Sequence, residues 1–162
     1  MKNFLFTAEL WLPRPRAAVF PFFADARNLQ AITPPWLHFE ILTPSPIEMR
    51  PGTLIDYRLR VRGFPIRWRT EIMEWQPPHR FVDQQVHGPY HLWHHTHTFL
   101  ERDGGTLCRD EVVYRPRGGW LTNWLFVRSD VKRIFRHRQA ALQSMFPAGK
   151  HPNIVRTNTF KS

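Results

Sequence analysis

The sequence predicts an α+β domain in which an antiparallel β-meander is followed by one long C-terminal helix. From residue 37 to residue 115, apolar and polar residues alternate with a period of two, and turns recur about every ten residues. This pattern is typical of antiparallel strands with one face in water. From Trp120 to about Phe146, apolar residues recur with a period near 3.6. That period indicates one helix on the order of 40 Å long.

The first 32 residues predict a strand and two short helices. Apolar residues alternate with other residues over 3–12, and Pro13 and Pro15 end this first strand because proline cannot donate to a β-ladder. Pro15 is a suitable first residue for a short helix that runs through Phe23. Asp25 is a suitable N-cap for a second short helix over 26–32.

The meander is predicted to contain strands at 39–43, 53–62, 66–72, 80–86, 93–99 and 106–114. Asp103-Gly104-Gly105 is a strong hairpin signal between the last two of them. We expect residues 1–147 to form a single ligand-binding domain and residues 148–162 to form a basic tail without regular structure.

Composition favours a globular protein with an unusually aromatic interior. Apolar residues make up 42% of the chain, and 13 Phe and 7 Trp provide bulky material for a large core or a pocket lined by rings. The single cysteine, Cys108, excludes an internal disulfide framework and a zinc site built from cysteines. No apolar run is long enough to span a bilayer, and no secretion signal is recognisable. We therefore expect a cytoplasmic protein.

The net charge of +10 raises the question of polyanionic partners, because such a surface attracts nucleic acid or anionic membrane. Most arginines are spread along predicted strands, and no nucleic-acid recognition motif accompanies them. We therefore do not expect nucleic-acid binding. Lys132, Arg133, Arg136 and His137 are interpreted most simply as a solvated helix face, and the sequence leaves open whether the basic face Lys132–Arg138 meets a partner or only water. The sequence leaves the oligomeric state open.

The stretch Trp93–Phe99 is the most informative part of the meander. Read as a strand, it places Trp93, His95, His97 and Phe99 on one face and His94, Thr96 and Thr98 on the other. A face with two imidazoles between two aromatic rings is too apolar for open water and too polar for a dry core. The pattern therefore predicts the wall of a cavity.

A set of motifs along the chain is informative in combination: Val19-Phe20, Phe22-Phe23-Ala24-Asp25, Asn28-Leu29, Ile32–Leu37, Gly52, Asp56-Tyr57, Trp68, Ile72, Phe81, Asp83, Gln85, Gly88-Pro89, Trp93-His94-His95, Gly104-Gly105-Thr106, Asp110 and Tyr114. Together they resemble the motifs of the polyketide cyclase/dehydrase-like (SRPBCC, START-like) superfamily. The resemblance implies a helix-grip fold, in which a curved antiparallel sheet wraps around the long C-terminal helix and leaves a cavity between them. The superfamily includes aromatic polyketide cyclases and carriers of lipids and hormones, so it does not specify a function.

Strand parity within this fold predicts the residues that face the cavity. We expect ligand contacts from Trp36, Tyr57, Trp68, Asp83, Gln85, Trp93, Phe99, Tyr114, Trp124 and Phe135. Trp36 is placed at the entrance, and Trp124 and Phe135 are expected to close the cavity from the helix. A bulge of one residue would invert any of the strand assignments.

Four inward polar residues carry the candidate chemistry. Asp83 and Asp110 need partners if buried, and the imidazoles of His95 and His97 are the natural ones. Either histidine beside Asp110 would be an oriented general base. Alternatively, the groups form a satisfied hydrogen-bond network that only shapes a pocket.

The spacing His95-x-His97 also occurs in metal sites, and Asp110 or Asp83 could supply a third ligand to zinc or iron. The resemblance includes no metal, and we expect neither a metal nor a cofactor.

Three functions remain open at this point. The first is binding of a small hydrophobic molecule, lipid-, polyketide- or aromatic-like, in the cavity. The second is an enzyme of the cyclase/dehydratase type that uses His95 or His97 with Asp110 as the general base pair. The third is a ribosome- or protein-associated interaction module, which the basic surface would suit.

Overall fold

The computed structural model describes residues 2–147 and the strand at 155–161. The strands are β1 (Phe4–Leu12), β2 (Glu40–Ile41), β3 (Leu54–Val61), β4 (Phe64–Gln76), β5 (Arg80–His87), β6 (Tyr90–Arg102), β7 (Gly105–Pro116) and β8 (Val155–Lys161). The helices are α1 (Arg16–Ala24), α2 (Arg27–Ile32), a 3-10 turn (Pro35–Leu37), α3 (Gly119–Thr122), a π-helical segment (Asn123–Val127) and α4 (Arg128–Met145). This order confirms the predicted α+β class and helix-grip fold.

The strands of the described residues form one antiparallel sheet with the order β2-β3-β4-β5-β6-β7-β1-β8. Strands β3 to β7 are sequential neighbours, as expected for a meander. The β4–β5 register shifts between Arg69 and Thr70 and again between Ile72 and Glu74. Such bulges bend the strand that carries them, which helps the sheet to curve around the helices.

Helix α4 lies across the inner face of the sheet and buries one stripe of side chains. Val131 and Phe135 pack against a cluster that contains Phe6 and Val112, so this part of α4 covers β1 and β7. Leu142, one turn from the C-terminal end of α4, packs against Leu10 in a second buried cluster. The period near 3.6 in the sequence therefore identified the face of α4 that is buried.

The C-terminal helical segment differs from the prediction in one respect. It runs from Gly119 to Met145, but its residues 123–127 are wound as a π-helix. The π-helical segment is anchored by the hydroxyl of Tyr114, which donates to Oδ1 of the buried Asn123 at 2.8 Å. The prediction assumed one regular period of 3.6 residues over 120–146, which places all the apolar residues on one buried stripe. The π-helical turns change the number of residues per turn and so interrupt that stripe.

The prediction of a structureless tail is wrong for residues 155–161. They form β8, which pairs antiparallel with β1, for instance Phe6 with Phe160. Without β8, the unpaired backbone of β1 would be a sheet edge, and β-branched residues such as Val155 and Thr157 suit a strand that covers it. Residues 148–154 of the predicted tail lie outside the described residues.

No helix in the described part of the chain combines the length and the apolar composition needed to cross a membrane.

Candidate functional site

A cavity of about 160 Å³ lies between the sheet and the helices. Its wall is mostly apolar and comes from α1, α2, Met49, strands β3 to β6 and α4. The lining side chains are Phe22, Phe23, Asp25, Ala26, Leu29, Ile32, Met49, Ile55, Tyr57, Trp68, Thr70, Ile72, Phe81, Asp83, Trp93, His95, His97 and Arg138. An apolar cavity with a few convergent polar groups is the usual form of a small-molecule site.

The polar part of the wall comes from three neighbouring strands. On β6, His95 lies opposite Asp83 of β5, and His97 lies opposite Asp110 of β7. All four side chains point to the inner face because residues two apart on a strand share a face. We call these four residues the His–Asp cluster.

Close contacts between the two imidazoles and the two carboxylates hold the His–Asp cluster together. Asp110 Oδ1 lies 2.9 Å from His95 Nε2 and 2.9 Å from His97 Nδ1. Asp83 Oδ2 lies 3.0 Å from His97 Nε2 and 3.7 Å from His95 Nδ1. Both carboxylates thus have imidazole partners, as the cost of burying an unpaired charge predicts.

The contacts of His97 favour its protonated, imidazolium form. Both of its ring nitrogens contact carboxylate oxygens, and only the protonated ring has two N–H donors. Burial alone would lower the pKa of His97, but the hydrogen bonds to Asp110 and Asp83 outweigh it and raise that pKa. Phe81 stacks on the ring with centroids 4.1 Å apart, a geometry that favours a cation.

His95 is held in the neutral form. Burial and the charge of the adjacent His97, whose ring centroid is 3.8 Å away, lower the pKa of His95. Its Nε2–H donates to Asp110, so in the neutral ring Nδ1 carries the free lone pair. His95 is therefore the member of the cluster that can accept a proton.

Both carboxylates stay ionised. Burial raises the pKa of Asp110, but hydrogen bonds from His95 and His97 outweigh it and hold that pKa well below 3.8. Burial also raises the pKa of Asp83, but the hydrogen bond from His97 and the nearby imidazoles outweigh burial and lower that pKa. The cluster therefore holds two negative charges and one positive charge.

Four of the residues predicted to contact a ligand line the cavity: Tyr57, Trp68, Asp83 and Trp93. Trp68 is oriented by its Nε1–H, which donates to Thr70 Oγ1 at 2.9 Å, and it meets Trp93 edge-on with ring centroids 5.5 Å apart. His95 and His97 also line the cavity, whereas Asp110 lies behind them and orients both rings. Their roles in binding and catalysis stay predictions.

Three other predicted contacts lie inside the protein but not on the cavity wall. Phe99 is buried in the core with Phe20, and Phe135 packs edge-on against His95 at 5.7 Å. Tyr114 is fully buried and directs its hydroxyl to Asn123. These side chains support the site from the core. The predictions for Phe99 and Tyr114 failed because strand parity identifies the inner face of the sheet but cannot separate a cavity wall from packed interior.

Gln85 has a local role. Its side-chain amide donates to the carbonyl oxygen of Tyr90 at 2.8 Å, and its Oε1 accepts from the Tyr90 N–H at 3.3 Å. These bonds close the turn between β5 and β6, so Gln85 does not line the cavity. The ligand contact predicted for Gln85 rested on strand parity alone.

The two predicted tryptophans outside the sheet lie elsewhere. Trp36 is exposed and packs against α4, where the guanidinium of Arg133 lies 4.1 Å from its ring centre. Trp124 is also exposed and does not close the cavity, because it lies on the π-helical segment whose buried residue is Asn123. The prediction that Trp124 closes the cavity was therefore wrong, whereas the position of Trp36 at the entrance stays a prediction.

Sequence reasoning missed Arg138 and the α1–α2 contribution. Arg138 lines the cavity, whereas the sequence left open whether the basic face Lys132–Arg138 meets a partner or only water. Its guanidinium lies 5.2 Å from the ring centre of Phe135, and among the described side chains it has no ion-pair partner. A helical wheel centred on the buried Phe135 places Arg138 at i+3, a signal that could have identified it.

Asp83, His95 and His97 also present donor atoms within 4.8 Å of one another. Two imidazoles and a carboxylate are a ligand set that zinc or iron accepts. Asp83 Oδ2 is hydrogen-bonded to His97 Nε2 at 3.0 Å and lies 3.7 Å from His95 Nδ1. The expectation that no metal binds stays a prediction.

Residues 12–143 match the family model described as polyketide cyclase / dehydrase and lipid transport. The chain belongs to this family. The match runs from the last residue of β1 to the last turn of α4 and so includes the whole cavity wall. The comparison with curated protein sequences found no match.

Solved structures show the same fold at low sequence identity. Protein Ms6760 from Mycobacterium smegmatis has 18% identity and a TM-score of 0.66, with 87% of this chain and 89% of that chain covered. Ara h 8.0201 has 18% identity and a TM-score of 0.68, with coverage of 90% and 98%. Major latex-like protein 151 from Panax ginseng has 9% identity and a TM-score of 0.66, with coverage of 90% and 99%. These likenesses establish the fold alone.

Proposed function

We propose that the protein binds a small, largely apolar molecule in the cavity between the sheet and the helices. The observation that carries this proposal is the wall itself, in which rings such as Trp68, Trp93 and Phe81 surround the polar His–Asp cluster. The rings supply contact area, and the polar groups orient the ligand. Membership of a family described as polyketide cyclase / dehydrase and lipid transport supports the same function.

The size of the cavity restricts the ligand. A volume of about 160 Å³ is close to that of an engineered apolar cavity of about 150 Å³ that accepts benzene. We therefore infer a ligand with one or two rings, or a short acyl chain. Arg138 favours a ligand with an oxygen substituent, such as a carbonyl, a phenol or a carboxylate.

Calorimetric titration with phenol, 1-naphthol and benzoate tests this proposal. We expect at least one of them to bind and Ala26→Phe, which fills the cavity from α2, to weaken that binding by about tenfold or more. Ala140→Phe introduces the same ring at an exposed position of α4 and should bind like the unaltered protein. Equal affinity in both variants would place the ligand outside the cavity.

A second function, proton transfer to or from the bound molecule, is favoured by the charge states in the His–Asp cluster. A neutral His95 with a free Nδ1 lone pair is a general base, and Asp110 fixes its tautomer. The guanidinium of Arg138, which lines the same cavity, would stabilise an enolate formed when a proton leaves carbon. This arrangement suits the cyclase/dehydratase type of chemistry, with His95 as base and Asp110 as its positioning residue.

Hydrogen exchange of a 1,3-diketone such as 2,4-pentanedione in D₂O, followed by NMR, tests this second function. We expect the protein to accelerate exchange and His95→Gln to abolish the acceleration. His94→Gln is the matched control, since His94 lies on the opposite face of β6 and contacts Gln84. Loss of exchange in both variants, or in neither, would exclude His95 as the base.

The partners and the cellular location of the protein stay predictions. We propose a cytoplasmic site of action and no nucleic-acid partner. A ribosome- or protein-associated role stays an alternative, and RNA binding that survives physiological salt would support it.

A further inference from the structure

The segment that joins β7 to α4 exposes an unusual number of large apolar side chains. Trp120 is 70% exposed and Trp124 is 68% exposed, and Phe64 at the β3–β4 turn is 73% exposed. We call the following exposed residues the aromatic patch: Phe64, Trp120, Leu121, Trp124, Leu125 and Phe126. A contiguous apolar surface of this kind marks a site of interaction with a protein or a membrane.

Local structure holds the aromatic patch outward. Gly118 and Gly119 have φ angles of 88° and 67°, a left-handed conformation that turns the chain sharply from β7 into α3. Asn123 then turns inward and is held by Tyr114, so its neighbours Trp124 and Leu125 face solvent. The patch is therefore presented by the backbone and is not the frayed end of a helix.

The β3–β4 turn is tied to the same surface. The guanidinium of Arg62 lies 4.7 Å from the ring centre of Phe126, and its Nε and Nη2 donate to the carboxylate of Asp130 at 2.9 and 3.0 Å. Phe64 is two residues from Arg62 in this turn. The turn that carries the exposed Phe64 therefore lies beside the exposed Phe126 of the π-helical segment.

Charge indicates the partner. Residues 112–162 contain ten Lys and Arg and a single acidic residue, Asp130, so this part of the chain supplies nearly all of the net charge of +10. Around the patch Arg62 and Arg117 are exposed, and Lys132 and Arg136 continue along α4 at four-residue spacing. Tryptophan and leucine surrounded by arginine and lysine are typical of surfaces that insert into the headgroup region of anionic bilayers.

We propose that the aromatic patch docks on an anionic lipid surface, with its side chains in the headgroup region and the basic face of α4 against the charged headgroups. Docking would bring the bilayer close to one end of the cavity. Val127 packs on the same core cluster as Trp93, and Trp93 lines the cavity. The proposal is independent of which ligand the cavity takes.

Vesicle flotation tests this proposal with the full chain. We expect binding to phosphatidylcholine vesicles with about one third phosphatidylserine, weak binding to phosphatidylcholine alone, and release in high salt. Leu121→Ala/Leu125→Ala should weaken binding by about tenfold or more. Leu54→Ala/Leu100→Ala removes the same groups at similarly exposed positions of the sheet and should bind normally.

A second pair of variants tests the electrostatic part. Arg117→Gln/Arg136→Gln should weaken binding about fivefold for each charge removed. Arg14→Gln/Arg50→Gln removes two exposed charges outside the proposed surface and should have a smaller effect. All substituted side chains are exposed, so an unchanged urea midpoint shows that the variants are folded.

Three results would overturn the proposal. One is failure of the unaltered protein to bind the anionic vesicles, and another is equal weakening by the patch and control variants. The third is a dimer, seen by sedimentation velocity, that Leu121→Ala/Leu125→Ala dissociates while vesicle binding is absent. That result would assign the patch to a second copy of the chain.

Discussion

Replacement of Asp110 by asparagine tests whether the His–Asp cluster is held together by charge. Asp110 Oδ1 accepts from His95 Nε2 and from His97 Nδ1, both at 2.9 Å. An asparagine side chain keeps the shape but removes the negative charge and one acceptor oxygen, so the imidazolium of His97 keeps Asp83 as its only carboxylate within the cluster. Breaking a buried ionic group in this way costs about 3 kcal/mol.

This loss is a large fraction of the stability of a typical domain, which is about 5 to 15 kcal/mol. For a chain of this length, each kcal/mol moves the melting temperature by about 2 to 4 °C. We therefore expect Asp110→Asn to melt roughly 6 to 12 °C below the unaltered protein. Urea denaturation at neutral pH, followed by circular dichroism, gives the free energy of unfolding directly.

Glu111→Gln is the control for this experiment. Glu111 is the next residue on β7 and points to the opposite face, so it makes the same chemical change outside the cluster. We expect the control to unfold within about 0.5 kcal/mol of the unaltered protein. If Asp110→Asn is no less stable than Glu111→Gln, the cluster is not held by charge, and the proposed states of His95 and His97 are wrong.

Two further predictions concern pH and the helix anchor. The pKa of His97 is raised in the folded protein, so its contribution to stability is complete below pH 6.5 and is lost as pH rises through the folded pKa. Urea denaturation at a series of pH values should therefore show the unaltered protein losing unfolding free energy relative to His97→Gln as pH rises from 6.5 through the folded pKa. A difference in unfolding free energy that stays constant with pH would contradict a protonated His97. Tyr114→Phe removes the donor to Asn123 Oδ1 and should cost about 1 to 2 kcal/mol of unfolding free energy. An unchanged urea midpoint would show that this bond does not anchor the π-helical segment.

The chemistry of the site was predictable because it lies on strands with clear alternation. His95 and His97 are two residues apart, so a period of two puts both on one face whatever the details of the sheet. The requirement that buried carboxylates be paired then predicted that Asp83 and Asp110 contact the imidazoles, and the structure confirms these contacts. The charge state of each ring was not predictable, since it depends on distances of a few tenths of an ångström between three strands.

The helical end of the site was less predictable. A hydrophobic period describes a regular α-helix and contains no information about a π-helical segment, so Trp124 was placed in the cavity when it is exposed. Arg138 was missed for a related reason, because a charged residue beside a buried stripe can extend its long side chain in either direction. The strand β8 was missed because its pairing partner is β1, at the opposite end of the chain.

The sequence by itself determined the fold class, the order of the elements and the face of β6 that carries the histidines, because these follow from local periodicity and turn chemistry. The tertiary structure alone decided which inward residues line a cavity of about 160 Å³ and which are packed in the core. It also decided that His97 lies between two carboxylates while His95 meets only one at hydrogen-bond distance. Burial and charge state depend on contacts between residues distant in the chain, and no local pattern encodes those distances.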